Sequence, residues 1–173
     1  SSIIEKGFKT TIAYPTIISQ PAYKYLDRKN HQFSFLFSQK MNQNSLTASA
    51  IKFSSIHSGE ITLDNYYENK ELILTINQDL ASLDSITLQL DGNIITNKYG
   101  YNLDLNDNAD NISNNKLVLD FKTPYWNDFD LSGEIDILDM AQFINAWEKD
   151  SLNYELGPFD GTLPHVKIID DGK

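Results

Sequence analysis

Apolar side chains recur at every second position in five separate segments of this chain, and a chain written that way has to fold as strands. Within 32–38, Phe33, Phe35 and Phe37 alternate with Ser34 and Ser38. Ile61 and Leu63 alternate with Glu60, Thr62 and Asp64, and Leu72, Leu74 and Ile76 with Ile73 and Thr75. Ile86, Leu88 and Leu90 alternate with Thr87 and Gln89, and Leu117, Leu119 and Phe121 with Val118 and Asp120. In each segment one face is written for a core and the other for a more polar setting.

Turn signals separate these segments: His57-Ser58-Gly59, Glu68-Asn69-Lys70, Asp91-Gly92-Asn93 and Tyr99-Gly100. Short strands joined by such turns predict a mainly β fold, an antiparallel β-sandwich over residues 14–122, with a barrel compatible with the same pattern. Residues 1–13 read as a linker or entry strand, and the stretch 44–50 as a short helical turn. The character changes at Thr123-Pro124, where a second unit, 123–173, is expected to begin. There Ile137, Met140, Ala141, Ile144 and Trp147 form one helical stripe, widened by Leu138 and Phe143. Beyond Asp150 the Gly- and Pro-rich tail is expected to fold back over that helix.

Charge is concentrated in the same unit. Residues 125–173 carry 11 acidic residues against 3 lysines, about −8 of the chain's net −10. No basic patch is present, so nucleic acid is not an expected partner. No run reaches the roughly 18 apolar residues of a membrane helix, so membrane insertion is not expected. Cysteine is absent, which removes disulfides and thiolate chemistry together. Bound cations are another way to brace a small module.

The densest oxygen-bearing run is Asp128-Phe-Asp130-Leu-Ser132-Gly133-Glu134-Ile135-Asp136-Ile-Leu-Asp139. Calcium takes six to eight oxygen ligands, and an EF-hand loop supplies them from positions 1, 3, 5, 7, 9 and 12, with glycine at 6. With Asp128 at position 1, Asp130, Ser132, Asp136 and Asp139 fall at 3, 5, 9 and 12. Glu134 at position 7 would offer its backbone carbonyl. Gly133 falls at the sharp turn, and Ile135 at position 8 is the residue expected to anchor the loop in a core. Asp136 can also cap the following helix, with Asp139 in its first turn. Aspartate at position 12 shortens the reach, which predicts affinity on the order of micromolar to millimolar.

The run 128–143 resembles one calcium repeat of a type I dockerin, in which the loop leads directly into a helix. A second repeat is incomplete: Asp171-Gly172 would match positions 5 and 6, but Lys167 and Ile169 would then stand at 1 and 3. The resemblance implies an α-helical, calcium-binding, EF-hand-like module. Its partner would be a cohesin-like protein or neighbouring domains of the parent chain. Residues 14–122 are similar to a bacterial Ig-like domain of the SbsA type, carried by Phe33-Ser-Phe35-Leu-Phe37-Ser38-Gln-Lys-Met41-Asn42 and by Ile94 to Leu103. Together the resemblances imply a non-catalytic, extracellular or cell-surface bacterial module for attachment or spacing. The alternatives are a purely structural calcium-braced spacer and a carbohydrate-binding accessory domain.

Other chemistry is weaker. Asp104, Asp107 and Asp110, with Asn106 and Asn108, form a second oxygen-rich cluster that could hold a further cation, although a polar turn accounts for the same composition. His31, His57 and His165 stand singly, without ligand spacing. No Gly-x-Ser-x-Gly elbow or Ser/His/Asp set emerges, and no catalytic residue is assigned. Trp126 and Trp147, with Tyr125 and Phe143, are expected to pack the small module onto itself or the β-domain, with an exposed aromatic platform for sugar binding as the alternative.

Overall fold

The alternation in 32–38 becomes β2 (Gln32–Phe37), in which Phe33, Phe35 and Phe37 are completely buried while Gln32 and Ser34 face water. The structure, a computed structural model, describes residues 13–22, 25–26, 32–105, 112–113, 115–149 and 158–169. The described part is mainly β.

Two four-stranded antiparallel sheets dominate. The first has the order β1 (Ile17–Ser19), β2, β5 (Glu71–Ile76), β4 (Leu63–Glu68). The second has the order β3 (Ile51–Ser55), β6 (Ser85–Asp91), β8 (Lys116–Lys122), β7 (Ile112–Ser113). Leu72, Leu74 and Ile76 of the first sheet share one buried cluster with Ile86, Leu88, Leu90, Leu117, Leu119 and Phe121 of the second. Phe33 bridges the sheets, its ring centroid 5.1 Å from Phe53 and 5.0 Å from Phe121. A two-sheet sandwich follows, with one core between the sheets.

Register is held by the pattern. Leu88 pairs with Leu119 and Phe53 with Leu88 across β6, so a slip of one residue would send every core side chain outward. The β4–β5 hairpin turns on Asn69 and Lys70, both with positive φ, as a tight two-residue loop requires. Where alternation predicts a strand around Ile61 and Leu63, β4 begins at Leu63 and runs on to Glu68. The helical turn expected at 44–50 is a single 3-10 turn, Gln43–Ser45, capped by the Asn42 side chain.

At the β6 exit, Gly92 is wedged under a neighbouring segment. A Cβ there would lie 2.6 Å from the Leu103 carbonyl oxygen and 2.7 Å from Asn115 Nδ2. Asn115 holds that segment by donating to Leu103 O (2.9 Å) and accepting from Leu105 N (2.9 Å). Gly92→Ala is therefore expected to destabilise the sandwich by about 1–3 kcal/mol, read as a lowered urea midpoint with unchanged slope.

After β8 the chain passes through Thr123, buried, whose hydroxyl donates to Ala81 O (2.6 Å) and accepts from Asp84 N (2.6 Å). The segment then leads into α1 (Ile137–Trp147) and a hairpin of β9 (Phe159–Thr162) and β10 (His165–Ile168). The sequence places this tail over the helix. The structure instead seats its described part, 158–169, against Ser58 and Ser82 of the sandwich. Ser82 N donates to Val166 O (2.9 Å), Val166 N to Ser82 Oγ (3.2 Å), Ser82 Oγ to Pro164 O, and Lys167 Nζ to Ser58 O (2.8 Å). The cause is that the polar groups of Ser82 and the Ser58 carbonyl find their partners in this hairpin.

Candidate metal centre

Residues 128–139 bend into a tight loop because its backbone donors converge on two carboxylates. Ser132 N (3.0 Å) and Gly133 N (2.9 Å) donate to Asp128, and Phe129 N (2.6 Å) and Asp130 N (3.3 Å) to Asp139 Oδ1. Gly133 takes φ +90°, the left-handed geometry glycine adopts freely. Leu131 also sits at φ +61°, where a branched side chain is strained, so the loop's other contacts hold it there. The Tyr25 hydroxyl lies beside Gly133, 3.5 Å from where a Cβ would stand.

The loop closes on the helix through a capping box. Asp136 accepts from Leu138 N (2.7 Å), and Asp139 Oδ2 accepts from Asp136 N (2.8 Å). Asp139 thereby joins both ends of the loop.

Of the predicted ligands, Asp128, Asp130 and Asp139 are brought together, each offering an oxygen within 4.8 Å of the others. Asp128 and Asp139 are buried. Ser132 Oγ donates to the Glu134 carbonyl oxygen (3.2 Å), so these two oxygens lie side by side in the loop. Asp136 spends its carboxylate on the helix cap and stays exposed. Ile135 is 51% exposed, not anchored in a core, and no strand among the described residues pairs with 134–136.

Electrostatics separate the two buried carboxylates. Burial pushes the Asp128 carboxyl above its ordinary range, and the charges of Asp139 and Asp130 add to this against the pull of the Gly133 and Ser132 N–H groups. Burial also acts on Asp139, but the N–H groups of Asp136, Phe129 and Asp130 outweigh it and hold that carboxyl low. A hard divalent cation fits this donor set, because its charge would offset both the burial cost and the mutual repulsion that raise Asp128.

The helix beyond the loop is largely bare. Met140 is 54% and Trp147 73% exposed, with Ile137 and Ile144 also exposed. Phe143 is half-buried, stacking on Phe129 (6.2 Å) and meeting Trp147 edge-on (5.6 Å). Trp126 instead packs towards Phe159 of the hairpin (6.3 Å).

In the second acidic cluster, Asp104 is half-buried and its N–H donates to Pro15 O (2.8 Å), whereas Asp107 and Asp110 lie outside the described residues. His31 lies outside them too. His57 and His165, which spacing alone leaves unrelated, stack face to face at 3.5 Å and 9° where the hairpin meets the sandwich. Asp84, which no motif in the sequence marks, is buried beside His57. Its carboxylate accepts from Ser55 Oγ (2.6 Å), Ile56 N (3.1 Å), His57 N (2.9 Å), Ser58 N (2.7 Å), Ser58 Oγ and Ser85 N (2.8 Å).

No protein-family profile matches the chain. No curated protein matches it either. Among solved structures, the N-terminal part of the bacterial S-layer protein SbsC aligns with a TM-score of 0.39 and 12% identity, over 64% of this chain and 24% of that one. The LD transpeptidase LdtMt1, solved in complex with imipenem, aligns with a TM-score of 0.38 and 11% identity, over 64% of this chain and 40% of that one. The chain thus spans well under two thirds of either structure. Likeness at this level carries neither a family nor an activity.

Proposed function

We propose that this chain is a non-catalytic, extracellular module of a bacterial surface or secreted protein, stabilised by calcium and used for attachment or spacing. The reading is carried by one observation, the convergence of Asp128, Asp130 and Asp139 within 4.8 Å, two of them buried. The Ser132 hydroxyl and Glu134 carbonyl supply further oxygens of the kind calcium takes. When bound, calcium neutralises the clustered carboxylates, and the capping box passes the ordered loop geometry to α1.

Attachment through α1 is supported by the exposure of Met140, Ile144 and Trp147, an apolar stripe beside the acidic loop. A cohesin-like protein or a neighbouring domain of the parent chain would cover it. Spacing is favoured by a different observation, the ties that hold the 124–133 segment to the sandwich and to Tyr25. Leu83 N donates to Pro124 O (3.1 Å), and Tyr25, beside Gly133, pairs with Lys122 of β8.

Calorimetric titration of the full chain with calcium is expected to give one site with a dissociation constant on the order of micromolar to millimolar. Affinity should fall as the pH drops into the raised titration range of Asp128, where protons compete with the cation. Absence of binding heat, together with identical melting curves in calcium and in chelator, would remove the calcium reading. Trp147→Ala should leave calcium binding intact, so attachment can be tested separately by its effect on partner capture.

A further inference from the structure

The two histidines that meet where the hairpin joins the sandwich form a contact that tolerates only so much charge. His57 lies between β3 and β4, His165 opens β10, and their rings stack at 3.5 Å with 9° between the planes. His165 Nδ1 lies 3.1 Å from Ser82 O. A carbonyl oxygen only accepts, so Nδ1 carries the hydrogen and donates it, which leaves Nε2 free to take a second proton. His57 is exposed and His165 half-buried, so protons from solvent reach the pair.

The stack sits among the ties that seat the hairpin. Ser82 N donates to Val166 O, Val166 N to Ser82 Oγ, Ser82 Oγ to Pro164 O and Lys167 Nζ to Ser58 O. Every one of these ends within two residues of His165. A repulsion between the two rings therefore acts inside the seat.

Histidine is the side chain whose ordinary titration falls between pH 5 and 8. One proton is accommodated, since on His165 it leaves the Nδ1–H bond to Ser82 intact. With both rings charged, two like charges face each other at stacking distance, too close for water to enter between them. The other charged groups on the segments that meet here do not cancel this. Asp84 accepts from the His57 backbone N–H and spends its carboxylate on backbone and hydroxyl donors, so it offsets one charge at most. Lys167 adds a positive charge on the hairpin side. Glu60, Asp79 and Asp160 are exposed, and Asp160 Oδ1 accepts from Gly161 N (2.8 Å).

We propose that the His57–His165 stack is an acid-sensitive latch, which holds the β9–β10 hairpin on the sandwich while at most one ring is charged and releases it when both are. The released hairpin takes up both protons freely, whereas the seated pair resists the second. The seated state therefore binds fewer protons and weakens as pH falls through about 6.5, where a free imidazole charges. Release uncovers Ser82 and takes Phe159 away from Trp126, loosening the segment that leads into the 128–139 loop. The latch itself uses none of that loop's carboxylates.

The test is amide hydrogen exchange of the full chain at about pH 7.5 and about pH 5, spanning the histidine range, with calcium and with chelator. Rates are corrected for the pH dependence of exchange itself. Protection of the Ser82 and Val166 amides is expected to fall about fivefold or more at the lower pH, while the slow amides of β6 keep theirs. His57→Phe leaves His165 a flat ring to stack on but cannot charge, and should hold protection at both pH values. His57→Gln, a second neutral replacement, is expected to do the same, and the β6 amides report that each variant is folded. Unchanged protection at Ser82 and Val166 in the parent overturns the proposal. So does a loss that persists in both variants, or one seen only in chelator, which would trace the effect to the acidic loop.

Discussion

Asp139→Ala is expected to lose calcium binding by at least about 100-fold and to lower the melting temperature of the loop and helix even without calcium. Two separate losses combine. The side chain is one of three converging carboxylates, so its removal opens the coordination set. It also accepts from Phe129 N, Asp130 N and Asp136 N, and these donors would lose their partner in a partly buried setting. The second loss costs about 1–3 kcal/mol. The first costs about 2.7 kcal/mol when free calcium stands at 100 times the wild-type dissociation constant. Asp136→Ala provides the contrast, because it removes a helix cap worth about 1 kcal/mol and leaves the three carboxylates in place. Scanning calorimetry of both variants, with calcium and with chelator, separates the effects. An Asp139→Ala protein whose melting still responds fully to calcium would refute the ligand assignment.

A comparable effect is expected at a site with no cation. Asp84→Ala should destabilise the sandwich by about 3–5 kcal/mol, because six donor contacts end on that one buried carboxylate. The urea midpoint should drop, and amide exchange should accelerate in His165–Ile168, whose seat includes Ser58 and Ser82. The pH dependence has a definite sign. Burial alone would raise the Asp84 pKa, but the hydroxyls of Ser55 and Ser58 and the N–H groups of His57 and Ser58 outweigh it and hold the carboxyl low. A carboxyl depressed in the folded state stabilises fully above its unfolded value. That contribution is lost as pH falls below about 4, through the lower folded value. Acid unfolding of Asp84→Ala should therefore be shallower than that of the parent. Equal acid sensitivity in the two proteins would mean that Asp84 is not a source of it.

How far these features can be read from sequence depends on whether they are local. The strands at 32–37, 71–76, 85–91 and 116–122 follow from side-chain alternation, since a period of two is a local signal. β3 carries the same alternation, Ile51 and Phe53 against Lys52 and Ser54, but only two apolar positions write it and Phe53 is half-buried, too short a signal to stand out. β9 escapes it entirely, since all four of its residues are exposed. The turn at Gly133 and the meeting of Asp128, Asp130 and Asp139 are legible because one short loop contains them. Asp84 and the His57–His165 stack are not, because their partners come from segments brought together only by the fold. The stripe on α1 is correctly amphipathic, yet amphipathicity says only that a face is apolar. It does not say what covers it, and Trp147 remains exposed.

The hairpin's seat on the sandwich also sets an order of events during folding. Val166 meets Ser82 across 84 residues and Lys167 meets Ser58 across 109. Contacts so distant in sequence close slowly, because the intervening chain must first be confined. As the chain leaves the ribosome, the two sheets have all their described strands once Lys122 has emerged, yet the 81–84 corner still waits for the 165–168 strand. During that interval hydroxyl and carbonyl groups at the corner rely on water, and the half-finished sandwich is the species most exposed to mispairing. The last described strand thus acts as a keystone, completing a structure whose walls are already standing.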